Sequence, residues 1–163
     1  MTLTNYIKSN ELSLKPITLS MKKEKWCDVR SITNKVELSQ QYTEIFEKHD
    51  FDNKWILMIN PEEKSLQMLS MQGKINPNKI LKVNIQQRNI SLETIEHTLE
   101  QGHCSAVILC NATLEKSQLS QLTHFAEKGQ TKCIILKNQT QSTRNQKLIT
   151  KSLTGLDSSL LLH

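Results

Sequence analysis

The sequence predicts an α/β domain with a mostly parallel sheet and helices on both faces. Two observations indicate this class. Apolar runs alternate with segments of helical length, which is the pattern of a sheet joined by helical crossovers. The runs also lack polar alternation, which is typical of strands buried on both faces. The four clearest runs occupy residues 55–59, 79–83, 105–110 and 133–136.

The first half of the chain predicts two strands and two helices. Residues 26–32 could form a short strand, and residues 36–49 have an imperfect helical spacing of apolar residues. The run 55–59 predicts a buried strand. Pro61 suits the first turn of the next helix, where its missing N–H is not needed, and Gly73 is placed to end that helix.

The second half repeats the alternation. A strand is expected at 79–83, then a helix with Ser91 as N-cap and Gly102 at its end. After the strand at 105–110, Thr113 can cap a helix that Gly129 ends, and the strand 133–136 follows. Beyond Lys137 the composition becomes polar, and residues 147–150 and 160–162 could form short edge strands.

The domain organisation predicted from these patterns is simple. Residues 1–25 are polar without periodicity, and we interpret them as a flexible N-terminal arm. Residues 26–163 are expected to form a single α/β domain, since 163 residues suffice for one ordinary core. The four cysteines include no CxxC pair, so buried free thiols in a reducing compartment are expected rather than a metal site.

Charge and hydropathy narrow the classes of partner. The net charge is +5 and the basic residues are scattered, which permits nucleic-acid binding without favouring it, so we expect no such partner. No apolar run approaches the roughly 18 residues that span a bilayer. The N-terminus lacks a signal-peptide pattern. We therefore expect a cytoplasmic protein without a membrane partner.

Nucleotide and catalytic motifs are missing from the sequence. A phosphate loop needs clustered glycines, and the four glycines lie far apart at 73, 102, 129 and 155. The turn at residues 60–65 ends in Lys-Ser like a phosphate loop, but Pro61 removes an N–H while Glu62 and Glu63 would repel phosphate. Adjacent His103 and Cys104 are poorly placed as a dyad, because neighbours on a strand face opposite ways. We expect no cofactor and no enzymatic activity, which favours a binding protein.

The ordered segments resemble those of the SOS cell-division inhibitor family, SulA. The similarity starts at Lys54-Trp-Ile-Leu-Met-Ile-Asn-Pro61 and continues through Lys79-Ile-Leu-Lys-Val83, the helix–glycine–strand junction at 99–108, and the segments 114–129 and 133–136. Residues 152–156 and the terminal His163 are similar to the family's tail. Two departures stand out: residues 36–50 are more polar than usual, and the tail lacks basic and aromatic residues.

The resemblance implies a RecA-like fold that has lost its phosphate loop. It also implies a protein that binds the tubulin-like GTPase FtsZ and blocks its polymerisation after DNA damage. The family acts as a dimer and is degraded by the Lon protease. A homodimer is also expected because a sheet with short edge strands leaves unpaired backbone groups.

The resemblance places a basic residue before the strand tryptophan and another before the next strand. It thereby implies a partner-binding surface, and the residues assigned to it are Lys54, Trp55, Ile59, Met68 and Lys79. Lys54 and Lys79 would lie at one edge of the sheet if their strands are parallel. The alternative is that Trp55 and Ile59 belong to the core and the lysines are simply solvated. The resemblance also assigns Leu162 and His163 to recognition by the protease. The alternative is that residues 160–162 simply pack as an edge strand.

Two other classes of function stay open at this stage. A RecA-related accessory protein of DNA repair would bind DNA or a polymerase through its basic surface, although 163 residues is short for that class. A small enzyme with an unrecognised site is the other class.

Overall fold

The computed structural model describes residues 23–50, 53–85 and 90–139. Most of the predicted N-terminal arm lies outside these ranges. So do the possible edge strands at 147–150 and 160–162 and the tail residues Leu162 and His163.

Five strands and four helices alternate along the described chain. The strands are β1 (Cys27–Ile32), β2 (Trp55–Ile59), β3 (Ile80–Val83), β4 (Cys104–Cys110) and β5 (Lys132–Asn138). The helices are α1 (Lys35–His49), α2 (Glu63–Met71), α3 (Leu92–Gln101) and α4 (Lys116–Gly129). A 3₁₀ turn at Pro77–Lys79 precedes β3. Every predicted strand and helix within the described ranges is present, with ends shifted by a few residues.

The strands form one sheet in the order β1-β5-β4-β2-β3, and all four pairings are parallel. The register places Ile56 beside Ile80 and Val107 beside Cys133. The predicted α/β class with a parallel sheet is therefore confirmed. The two strands at the ends of the sheet are β1 and β3.

Helices cover both faces of the sheet, as predicted. On one face α1 and α2 bury a cluster that includes Tyr42, Phe46 and Leu66 against the sheet. On the other face α3 and α4 bury a cluster that includes Leu99 and Leu122. Alternate residues of each interior strand enter opposite clusters, which explains why the strand sequences are continuously apolar.

Two local predictions about helix starts are wrong. Pro61 does not lie in the first turn of α2, because Glu62 is the N-cap and the helix begins at Glu63. Thr113 is not the cap of α4, which begins at Lys116 after Glu115. The Glu115 N–H donates to Gln118 Oε1 at 2.9 Å, so a side chain inside the helix satisfies this backbone group.

The prediction that Ser91 caps α3 is confirmed. Its Oγ accepts a hydrogen bond from the Thr94 N–H at 3.1 Å. Gly102 ends the same helix with φ of +69°, a left-handed conformation that glycine adopts without steric cost.

Gly129 has a packing role beyond ending α4. Gln130, not Gly129, takes the left-handed conformation after the helix, with φ of +53°. A β-carbon at Gly129 would lie 1.7 Å from the Leu99 carbonyl oxygen, and one at Gly102 would lie 2.8 Å from the Gly129 oxygen. The ends of α3 and α4 therefore meet through glycine backbone.

None of the helices in the described ranges is long and apolar enough to cross a membrane. In the same ranges, no group of three or more His, Cys, Asp or Glu side chains could hold a metal ion.

Substituting Gly129 tests this close approach. Gly129→Ala is expected to lower the free energy of unfolding by about 3 kcal/mol or more, because the added carbon overlaps a backbone oxygen that cannot rotate away. Gly73→Ala is the control: Gly73 has a φ of +69°, a left-handed conformation that Gly129 does not share, but nothing lies within 4 Å of the added carbon. The control should cost only about 1 kcal/mol. Equal losses in urea denaturation would contradict the packing role.

Candidate functional site

A crevice opens at the carboxyl end of the sheet between β2 and β4. The helix after β2 lies on one face of the sheet, and the helix after β4 lies on the other. The chains leaving these neighbouring strands therefore diverge. In open parallel sheets, ligand sites form at such a switch point.

The backbone at the crevice turns sharply on both sides. Asn60 and Asn111 directly follow β2 and β4, with φ of +57° and +61°. The Asn60 N–H donates to the Val83 oxygen and the Asn111 N–H donates to the Leu136 oxygen, both at 2.7 Å. Asn60 therefore continues the pairing of β2 with β3, and Asn111 continues the pairing of β4 with β5. Asparagine tolerates this left-handed conformation better than other non-glycine residues.

Asparagine stands at the end of four neighbouring strands. Asn138, Asn111, Asn60 and Asn84 succeed one another across the sheet, and all four line a cavity of about 220 Å³. The Asn138 N–H donates to Asn111 Oδ1 at 2.9 Å, which joins two members of this row. We call this cavity the switch-point crevice.

Glu62 holds the N-terminus of α2 at the rim of the crevice. Its carboxylate accepts a hydrogen bond from Ser65 Oγ and pairs with Lys35 Nζ at 3.3 Å. Burial alone would raise the pKa of Glu62, but these two partners hold that pKa below its usual value. A helix N-terminus favours an anion, and here the protein supplies its own.

The Lys-Ser end of this turn directs its hydroxyl to a carboxylate of the protein. Ser65 is buried and its hydroxyl is directed to Glu62, whereas Lys64 is exposed.

Tyr42 joins α1 to the same corner. Its side chain is buried, its hydroxyl accepts the Glu62 N–H at 3.1 Å, and it lies 3.7 Å from Cys110 Sγ. Burial raises the pKa of Tyr42 far above its usual range and raises that of Cys110 to about 12. Both groups are therefore protonated at neutral pH, and both take part in hydrogen bonds at this corner.

The amino end of the sheet has a different character. Lys54 and Lys79 precede the parallel strands β2 and β3, so both lie at this edge, as the sequence predicted for parallel strands. Trp55 begins β2 and is 42% exposed. Burial, and after it the charges of Lys132 and Lys48, lower the pKa of His49, which ends α1. We call Lys54, Trp55 and Lys79 the amino-edge surface.

The structure separates the other two residues assigned to partner binding. Ile59 is 2% exposed and packs in the core beneath α3 and α4. Met68 is 60% exposed on α2, on the opposite side of the sheet from that core. It lines a groove of about 660 Å³ between α1 and α2, together with Val36 and Lys64.

Sequence reasoning missed the switch-point crevice, although a signal for it existed. An asparagine at the end of four successive apolar runs is visible without a structure. The contact between Tyr42 and Glu62 had no such signal, because it joins residues 20 apart through the packing of α1 beside α2.

The crystal structure of SulA from Pseudomonas aeruginosa resembles this structure, with a TM-score of 0.56 and 16% sequence identity. The match covers 71% of this chain and 99% of that chain. The fold is SulA-like. At this identity the likeness shows the shared fold and does not transfer residue roles. No protein-family model matches the sequence, and no curated protein is similar to it at a significant level.

The charge of Glu62 can be tested through the pH dependence of stability. Glu62→Gln is expected to lower the free energy of unfolding at pH 7 by about 1 kcal/mol or less, since the pair with Lys35 is partly exposed. A depressed folded-state pKa stabilises the fold above the unfolded pKa of about 4.3, and this contribution is lost as the pH falls through the folded value. The difference between wild type and variant should therefore shrink below about pH 4. A difference in urea denaturation that is constant across this range would contradict the assignment.

Proposed function

We propose that this protein is an inhibitor of cell division that binds FtsZ and blocks its polymerisation. The observation that supports the proposal is the likeness of fold to SulA over 99% of that chain. The resemblance of the sequence segments to those of the SulA family also supports the proposal. The protein would act by binding, without turning over a nucleotide, in keeping with the carboxylate of Glu62 at the N-terminus of α2.

The amino-edge surface is the proposed contact with FtsZ. An exposed tryptophan between two lysines combines the residue type most enriched in binding hot spots with charges that attract an acidic partner. Lys54 and Lys79 are both half-buried, so their positions are partly fixed before a partner arrives. Ile59 supports β2 from beneath, since its burial keeps it from direct contact.

Met68 provides a second candidate contact on α2. It is exposed beside Val36 in the groove between α1 and α2. This groove lies on the face of the sheet that α1 and α2 cover. A partner would therefore have to reach around the edge of the sheet to contact both Met68 and the amino-edge surface. We therefore place the main contact at the amino edge.

Assembly and turnover complete the proposal. A homodimer would satisfy the outer edge of β1 or β3, the end strands of the sheet. Lon would recognise Leu162 and His163, which lie outside the described residues. The proposed setting is the SOS response in the cytoplasm. The fold comparison does not favour a DNA-repair role.

Charge reversal tests the contact with FtsZ. The wild-type protein should reduce the amount of FtsZ that sediments with GTP. Lys54→Glu with Lys79→Glu should raise the concentration needed for half inhibition by roughly tenfold or more, as expected when two contacts of about 1 kcal/mol each are lost.

The matched control is Lys116→Glu with Lys137→Glu, which makes the same charge change near the carboxyl end of the sheet. The control should inhibit like wild type, and both variants should keep the wild-type circular dichroism. Full inhibition by the first variant would place the contact elsewhere. No inhibition by wild type would refute the proposed function, and retention on DNA would then favour the repair class.

Edge charges test the proposed dimer. Sedimentation equilibrium in the micromolar range should give twice the monomer mass. Val29 on β1 is 37% exposed and Leu81 on β3 is 42% exposed, so each accepts lysine without a buried charge. If the dimer forms through β1, Val29→Lys should weaken it, and if it forms through β3, Leu81→Lys should do so. A monomer mass for the wild type throughout that range would rule the dimer out.

A further inference from the structure

Cys27 and Cys133 form an in-register pair across neighbouring strands. Cys27 begins β1, and its Cα partner on β5 is Cys133. Paired residues of adjacent strands lie about 4.8 Å apart and project to the same face. That separation falls within the roughly 4.4–6.8 Å between α-carbons that a disulfide spans. Both side chains belong to the core beneath α3 and α4.

The two thiols are chemically unequal. Interactions of the Cys27 thiol with Cys133 and with Thr123 on α4 hold the pKa of Cys27 below its usual value despite burial. The same interaction with Cys27 raises the pKa of Cys133. Cys27 is 7% exposed, whereas Cys133 is fully buried. Cys27 is therefore the thiol of the pair that ionises more readily.

The other two cysteines have no such arrangement. Cys104 and Cys110 lie at opposite ends of β4, too far apart to bond to each other. Cys110 faces the core of α1 and α2, on the other side of the sheet from Cys27 and Cys133. Cys104 lies three residues before Val107, which is the β4 partner of Cys133.

We propose that Cys27 and Cys133 are a site of reversible oxidation to an intramolecular disulfide by hydroperoxides. The Cys27 thiolate attacks one oxygen of the peroxide, the O–O bond breaks, and Cys27 sulfenic acid and water (or an alcohol) form. The Cys133 sulfur then attacks the Cys27 sulfur, the S–O bond breaks, and the thiol proton leaves with the hydroxide as water. Two thiols are oxidised by two electrons, and one peroxide is reduced.

The bond would join the end strand of the sheet to its neighbour. It closes a loop that contains α1, β2, α2, β3, α3, β4 and α4, which is most of the described fold. A cross-link over so long a loop restricts the unfolded chain more than a short one. The oxidised protein should therefore unfold at a higher urea concentration than the reduced protein. A thiol reductant should reverse the shift.

Tryptic mapping tests the bond directly. Trypsin releases Cys27 in the peptide 26–30 and Cys133 in the peptide 133–137, whereas Cys104 and Cys110 share the peptide 89–116. The folded wild-type protein is treated with hydrogen peroxide, alkylated in denaturant and digested. We expect the peptides 26–30 and 133–137 joined, the peptide 89–116 alkylated twice, and an intact monomer mass lower by two hydrogens.

Variants assign the two roles. Cys133→Ser should leave Cys27 as a sulfenic acid that dimedone traps, and Cys27→Ser should give neither the trapped acid nor the joined peptide. Cys104→Ser is the control and should form the disulfide like wild type. Alkylation of all four wild-type cysteines after peroxide would overturn the proposal. So would oxidation of Cys27 without the joined peptide in wild type, a result that does not depend on the folding of any variant.

Discussion

The complete burial of β4 is the constraint on which the rest of the structure depends. All seven of its residues are buried, and from Val107 to Cys110 they alternate between the cores on the two faces of the sheet. A parallel strand of this kind is stable only when helices cover both faces. The four crossovers meet this requirement with two helices on each face. The change of face between the helices after β2 and β4 then opens the switch-point crevice as a consequence of covering the sheet.

Groups of the protein bind one another around the crevice. Glu62 supplies the anion that a helix N-terminus favours. Lys35 forms an ion pair with this carboxylate, and the Ser65 hydroxyl donates a hydrogen bond to it. Tyr42 links this corner to α1, and the Asn138 N–H binds the Asn111 side chain. These contacts are stabilising in the absence of any ligand. The sequence lacks clustered glycines, and at this corner the carboxylate of Glu62 lies at the N-terminus of α2.

The sequence predicted the fold through properties that are local along the chain. The strand β2 could be bounded because its five apolar residues lie between a lysine and Asn60-Pro61. The cap Ser91 was recognisable because its bond is made within one turn. Pro61 and Thr113 were misplaced because the caps at Glu62 and Glu115 are not the residue types that best predict a helix start. Gly129 was predicted to end a helix, but its contact with Leu99 depends on how two helices meet.

The candidate site was less predictable because its geometry depends on contacts between residues far apart in the sequence. Lys54 and Lys79 could be placed together because parallel pairing of two consecutive apolar runs fixes which ends coincide. The separation of Met68 from Trp55 depends on which face each crossover covers, and the spacing of apolar residues along one helix does not contain that information. The order of strands and the close pairing of Cys27 with Cys133 are likewise set by contacts between residues far apart in sequence.

The two ends of the sheet consequently have opposite chemistry. At the carboxyl end, carboxylate, amide and phenol groups bind one another around a small cavity. At the amino end, lysines flank an indole that is 42% exposed in a chain with only two tryptophans. An exposed tryptophan loses apolar contact with protein and gains none in water, so its side chain is stabilised when a partner covers it. Polar groups at the carboxyl end therefore bind one another, whereas the exposed indole lies at the opposite end of the sheet, where the proposed protein partner would cover it.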